Sequence, residues 1–189
     1  MKKLLIVLAS LVILSAFTTP DTWHNDKPHS QLTFTITHLG ISDVSGNFND
    51  FNVTITNGSK DFSDAVFEMS ADVASIDTRV EARNNHLKSP DFFDAARYPK
   101  LTYKSTSIKK KGKDRFVLTG DLTMHGITKA VTMDLLYRGV IENPMSKKPT
   151  HGFQLTGKLK RSDFSIGTSF PEPMLSDEVR IKADGEFVQ

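Results

Sequence analysis

The stretch "VRIKADGEF", Val179–Phe187, alternates without a break: Val179, Ile181, Ala183, Gly185 and Phe187 share one parity, and Arg180, Lys182, Asp184 and Glu186 the other. Successive side chains of a strand point to opposite faces, so the segment reads as a strand with one dry face and one wet face. On a helix the same four charges would be interleaved with the apolar residues. Five further segments repeat the pattern: residues 32–36, 65–73, 116–124, 131–137 and 153–159. Across all six, the 26 in-phase positions are aliphatic, aromatic, Met, Ala or Gly, while of the 20 between them only Val66, Val117 and Leu136 are apolar.

One-sided alternation belongs to antiparallel sheets, because parallel sheets are covered on both faces. Two weaker strands complete the set. In "GNFNDFNVTIT", Gly46–Thr56, the phase slips between Phe48 and Phe51, which predicts a bulge near Asn49 and Asp50. In "LTYKSTSIKK", Leu101–Lys110, the alternation fades toward Ile108. Eight strands joined mostly by short turns make either a sandwich or a closed up-and-down barrel, and the alternation fits both.

The N-terminus places Lys2 and Lys3 before an apolar run, Leu4–Phe17, of 14 residues. That is the layout of a secretory leader, and it falls short of the ~20 residues that span a bilayer comfortably. Residues 1–18 are therefore expected to be a signal peptide, cleaved near Ala16 or Thr18, and the mature protein to be periplasmic or secreted. Without Lys2 and Lys3 the 24 basic residues become 22, equal to the 22 acidic ones. A neutral mature chain gives no reason to expect a nucleic-acid partner. The absence of cysteine removes disulfides, thiol nucleophiles and thiolate metal sites.

One long segment breaks the strand pattern, "NNHLKSPDFFDAARYP", Asn84–Pro99. Thr78 and Glu81 have capping-box spacing, which predicts a short helix from Arg79 to about Leu87. Ser89-Pro90 is a second helix start, with Asp91 in its first turn. Asp91 and Asp94 thus have an ordinary structural explanation, and nothing marks them as a general acid and base.

Five ordered blocks, "HSQLTFTITHLGISDVSGNF" at His29–Phe48, "SIDTR" at Ser75–Arg79, "HLKSPDFFDAARYP" at His86–Pro99, "GDLTMHGITKAVT" at Gly120–Thr132 and "RSDFSIG" at Arg161–Gly167, resemble the YceI-like domain family, described as lipid- or polyisoprenoid-binding. Where that family often has Arg-Asp before the His-Leu pair, Asn84-Asn85 stands here. The resemblance covers nearly the whole mature chain. It implies an all-β fold, an eight-stranded antiparallel up-and-down lipocalin-like barrel with a short helical insert between strands 3 and 4, forming one domain over residues 22–189. It also implies bacterial export and an isoprenoid chain inside.

A meander barrel gathers alternate connections at one end. His38, the helical stretch, His125 and Arg161-Ser162-Asp163 then converge on one mouth, and Lys109–Lys111, Lys113, Lys147 and Lys148 fall at the other end. The expected mouth residues are His38, His86, Leu87, Phe92, Phe93, His125, Arg161 and Asp163. The expected lumen lining is Phe34, Ile36, Phe67, Met69, Leu118, Gly120, Leu122, Met133, Leu135, Phe153, Leu155, Gly157, Ile181 and Ala183. Inward glycines either leave room for a ligand or relieve bending where strands coil, and the sequence fits both. Neither H-x-H nor H-E-x-x-H nor G-x-S-x-G occurs, so no metal and no catalytic residue is assigned. The expected function is non-catalytic binding or transport of a long isoprenoid lipid, such as a polyprenyl chain or quinone tail, with no cofactor beyond that ligand. A transient membrane-surface contact is the one other partner role retained. The alternatives are a solid, ligand-free protective barrel and a lipid-headgroup hydrolase or isomerase at His38, His86 and His125.

Overall fold

The computed structural model describes residues 19–189, so the expected leader, residues 1–18, lies outside them. Eleven strands run in chain order: β1 (Asp21–Asn25), β2 (Gln31–His38), β3 (Ser42–Phe48), β4 (Phe51–Asn57), β5 (Val66–Asp72), β6 (Ile76–Asp77), β7 (Lys100–Gly112), β8 (Arg115–Met124), β9 (Ile127–Glu142), β10 (Pro149–Lys160) and β11 (Leu175–Val188). They form eight barrel staves, because the first three staves are each broken in two, the third being β5 and β6 with a 3-10 turn at Val73–Ser75 between them. β1 and β2 are one stave interrupted at Lys27–His29, where Pro28 cannot donate to a ladder and the chain makes a single 3-10 turn. β3 and β4 are the next stave, interrupted at Asn49 and Asp50, where the phase of the sequence slips.

Closure follows from the pairings. β4, β5, β7, β8, β9, β10 and β11 pair in that order, all antiparallel, and β1 joins β4 on one side and β11 on the other. β2 continues the seam between β11 and β3. The chain is therefore a closed eight-stranded barrel rather than a sandwich. β1 is a strand that sequence patterning does not mark, since Trp23 is its only large apolar residue. The fading alternation near Ile108 also has a local cause: Ser105 faces Gly120 while Ser107 faces Thr119, so Thr106 is an extra residue in the ladder.

The base of the barrel is closed by aromatic rings. Trp23 stacks on His151 at 4.2 Å between centroids, and Phe62, from the β4–β5 connection, meets Tyr137 at 4.7 Å and Phe153 at 5.6 Å. Phe153 also packs on Phe67 and Phe187. The Tyr137 hydroxyl bonds to Nδ1 of His151 at 3.1 Å, and burial pushes the His151 pKa down, disfavouring the charged imidazole.

The inward glycines are tightly abutted, and this corrects the expectation that Gly120 and Gly157 line the lumen. A Cβ on Gly120 would lie 2.5 Å from the Lys104 carbonyl oxygen and 2.6 Å from the Tyr103 Cζ and hydroxyl, while one on Gly157 would lie 2.9 Å from Met133 Cγ. Their missing side chains are filled by neighbours. The Tyr103 phenol that occupies the Gly120 notch is buried with no hydrogen-bond partner among the described residues, and burial, with the Asp121 charge behind it, pushes its pKa up to about 12. Gly120→Ala is expected to cost about 2 kcal/mol, because its closest obstacle is backbone and cannot swing aside. Urea unfolding monitored by circular dichroism checks this, and an unchanged midpoint would contradict it.

Candidate functional site

Inside the staves is a cavity of about 490 Å³, a size typical of small-molecule sites. Of the residues expected in the lumen, Phe34, Ile36, Phe67, Met69, Leu118, Leu122, Met133, Leu135, Phe153, Leu155, Ile181 and Ala183 line it. Val53, Leu101, Leu159 and Val179 line it as well, each at an inward position of its stave. No Asp or Glu is among the lining residues described. Apart from Thr33 and the Tyr103 ring, the polar lining residues are His38, Thr78, Arg83, His86 and Arg161, all at the end of a strand or in the connections beyond it.

The roof over that end is the segment between β6 and β7. Its helix, α1 (Glu81–Lys88), begins two residues later than the capping-box spacing predicts. Thr78 does not cap it: the Thr78 hydroxyl donates to Asn84 Oδ1 at 2.6 Å and accepts from Arg83 Nε at 2.8 Å. Arg79 turns left-handed at φ 67°, and Val80 takes the N-cap position without a side-chain cap. Asn84 also accepts from the Thr78 amide and donates to Asp77. The second expected helix start at Ser89-Pro90 yields only turns, and Asp91 meets His86 Nε2 at 3.0 Å instead of capping. After α1, Phe92 stacks on Phe170 at 5.0 Å, and Phe93 meets Phe48 edge to face at 5.8 Å. Together with Leu87 they lay apolar rings across the cavity.

The predicted mouth connections do meet, but their side chains divide into two kinds. His38, His86, Leu87, Phe92, Phe93 and Arg161 line the cavity. His125 and Asp163 do not, which corrects their expected place in the collar. The His125 ring donates from Nδ1 to the Phe164 carbonyl at 3.0 Å and packs against Tyr98, so it welds the β8–β9 turn to the β10–β11 connection. Asp163 is exposed on the short 3-10 turn Arg161–Phe164.

Arg161 lines the cavity, yet its hydrogen-bonding capacity is spent. Nε donates to the Ser176 carbonyl, Nη1 to those of Ile166 and Gly167, and Nη2 to those of Phe170 and Leu175. A guanidinium has five N–H donors, and all five are used on backbone. Its role is to hold the β10–β11 connection in shape. Arg83, which sequence reading did not single out, is different. Nε and Nη2 hold Thr78, while Nη1 has no partner among the described residues. A motif survey has no signal for it, since only the turn of α1 brings it to the cavity.

None of the mouth histidines joins a metal-type cluster among the described residues. The one such grouping, Asp26, His29 and Glu186, lies on the outer surface, where the His29 pKa is raised by its 2.8 Å bond to Asp26.

Residues 23–187 match the model of a family described as a YceI-like domain. The chain is 36% identical over 189 residues to Protein YceI of Escherichia coli O157:H7, covering 98% of each chain. The crystal structure of the Campylobacter jejuni YceI protein superposes with a TM-score of 0.73 at 34% identity, over 82% of this chain and 90% of that one. A polyisoprenoid binding domain from Saccharophagus degradans shares the fold, with a TM-score of 0.69 at 14% identity over 88% of this chain and 97% of that one.

Proposed function

Because the chain belongs to the YceI-like domain family, we propose that it is an exported, non-catalytic binder of an isoprenoid lipid, such as a polyprenyl chain or a quinone tail, with the chain in the lumen and the headgroup at the mouth. The cavity carries the reading: its wall is apolar along the staves, and nearly all its polar side chains gather at one end. A sugar or nucleotide in that lumen would leave its hydroxyls unpaired, at a cost of roughly 1–3 kcal/mol each. The open volume disfavours a ligand-free barrel packed solid. The same fold serves a domain named for polyisoprenoid binding. Export rests on the lysine-led apolar run at residues 1–18.

The size of the cavity sets a scale. If a methylene takes roughly the ~30 Å³ of a liquid water, 490 Å³ holds on the order of 16 such groups, about three isoprene units. Three units give on the order of 10 kcal/mol of gross transfer energy before ordering costs, comparable with the ~8 kcal/mol of micromolar binding. Longer chains are then expected to leave the mouth. Organic extraction of the natively expressed protein, followed by mass spectrometry, tests the assignment. An isoprenoid is expected in the extract, and its absence after expression in an isoprenoid-producing host would sink the reading. The intact mass of the same preparation reports whether the leader has been removed.

A further inference from the structure

Resting on that reading, we propose that the lipid carries an anionic headgroup, a phosphate ester or a carboxylate, and that Arg83 selects it. The cavity wall holds two guanidinium groups and no carboxylate. Arg161 has no donor left to offer. Arg83 is half-buried at the mouth and fixed by two bonds to Thr78, 2.8 Å from Nε to the hydroxyl and 2.6 Å from Nη2 to the carbonyl. Its Nη1 edge is left free among the described residues.

The acidic groups around it do not neutralise it. Asp77 accepts from the Arg79 amide and from Asn84 Nδ2, which hold its carboxyl below the usual carboxylate range. Asp91 is paired with His86, and Glu81 is exposed on the first turn of α1. No carboxylate lies within 4 Å of Arg83 among the described residues. A half-buried cation held rigid, with a free donor edge and no counter-ion, is an acceptor site for a negative oxygen, and guanidinium matches phosphate and carboxylate geometry. His38 and His86 line the same cavity. A neutral quinone ring or alcohol would leave that charge uncompensated.

Isothermal titration of the full chain with two ligand pairs tests the assignment: geranylgeranyl monophosphate against geranylgeraniol, and palmitate against hexadecanol. At low salt at least one anion is expected to bind roughly 10-fold tighter than its neutral partner, with the ratio shrinking as salt is raised. Which pair shows the preference identifies phosphate or carboxylate. Arg83→Gln should bring the ratio to about one, and Arg83→Lys, which keeps charge but loses the fork, should leave it intermediate; thermal melts of both variants report folding. Equal affinities within both pairs overturn the anionic headgroup while leaving lipid binding intact. A preference that survives Arg83→Gln overturns the role of Arg83. Failure of all four ligands to bind overturns the lipid-binding reading and this inference with it.

Discussion

Arg161→Ala is expected to lower the stability of the barrel by about 4 kcal/mol, the largest effect of any single polar substitution named here. The side chain is 6% exposed and serves five carbonyls, at Ile166, Gly167, Phe170, Leu175 and Ser176. Removing it takes the donor from the buried bonds to the Ile166 and Gly167 carbonyls and from the part-buried bonds to those of Phe170, Leu175 and Ser176, and such groups cost roughly 1–3 kcal/mol apiece before solvent relieves some of them. For a domain of this size the melting temperature should fall by roughly 10 °C. Arg161→Lys should recover less than half of the loss, since a point charge cannot reproduce a planar fork. Thermal and urea unfolding decide it. A fall of only a degree or two would mean that the β10–β11 connection holds its shape without the guanidinium.

The second large effect concerns the lumen. Ala183 lies on β11 with its methyl on the cavity wall, facing Leu155 on one side and Leu32 on the other. Ala183→Phe would place a ring where three or four ligand carbons are proposed to lie. At ~0.8 kcal/mol per displaced methylene, affinity for geranylgeraniol should fall roughly 100-fold. Stability should change by less than about 1 kcal/mol, because the ring enters open space instead of a packed wall. Gly157 and Gly120 are unsuitable for this experiment, since a side chain there would strike Met133 or the Lys104 carbonyl first. Unchanged affinity in a folded Ala183→Phe variant would place the ligand elsewhere or deny one altogether.

The lining was legible because a period of two carries its own geometry. Once Val179–Phe187 and its counterparts are strands, parity alone assigns Phe34, Phe67, Leu118, Leu135 and Ile181 to one face, whatever the strands later pair with. Parity does not say what fills the space in front of a glycine. Gly120 and Gly157 share the inward phase of true lining residues, but Tyr103 and Met133, from adjacent staves, reach across and occupy the gaps. The helical stretch shows the same limit. Thr78 and Glu81 satisfy a capping-box spacing, yet the Thr78 hydroxyl is drawn instead to Asn84 and Arg83, because the chain enters α1 through a left-handed Arg79.

The amino-acid sequence alone determined the character and inward face of the strongly alternating strands, the interruption at Asn49 and Asp50 and the family likeness, because these depend on local periodicity and short ordered motifs. Only the tertiary structure decided that the sheet closes on itself, with β1 bridging β4 and β11, and which mouth groups are free. His125 and Arg161 are consumed by carbonyls, whereas Arg83 keeps an open edge. Whether a polar side chain is spent or available depends on how the backbone folds around it, with the partner 39 residues away for His125 and 5 to 15 away for Arg161, and neither spacing nor composition encodes that arrangement in space.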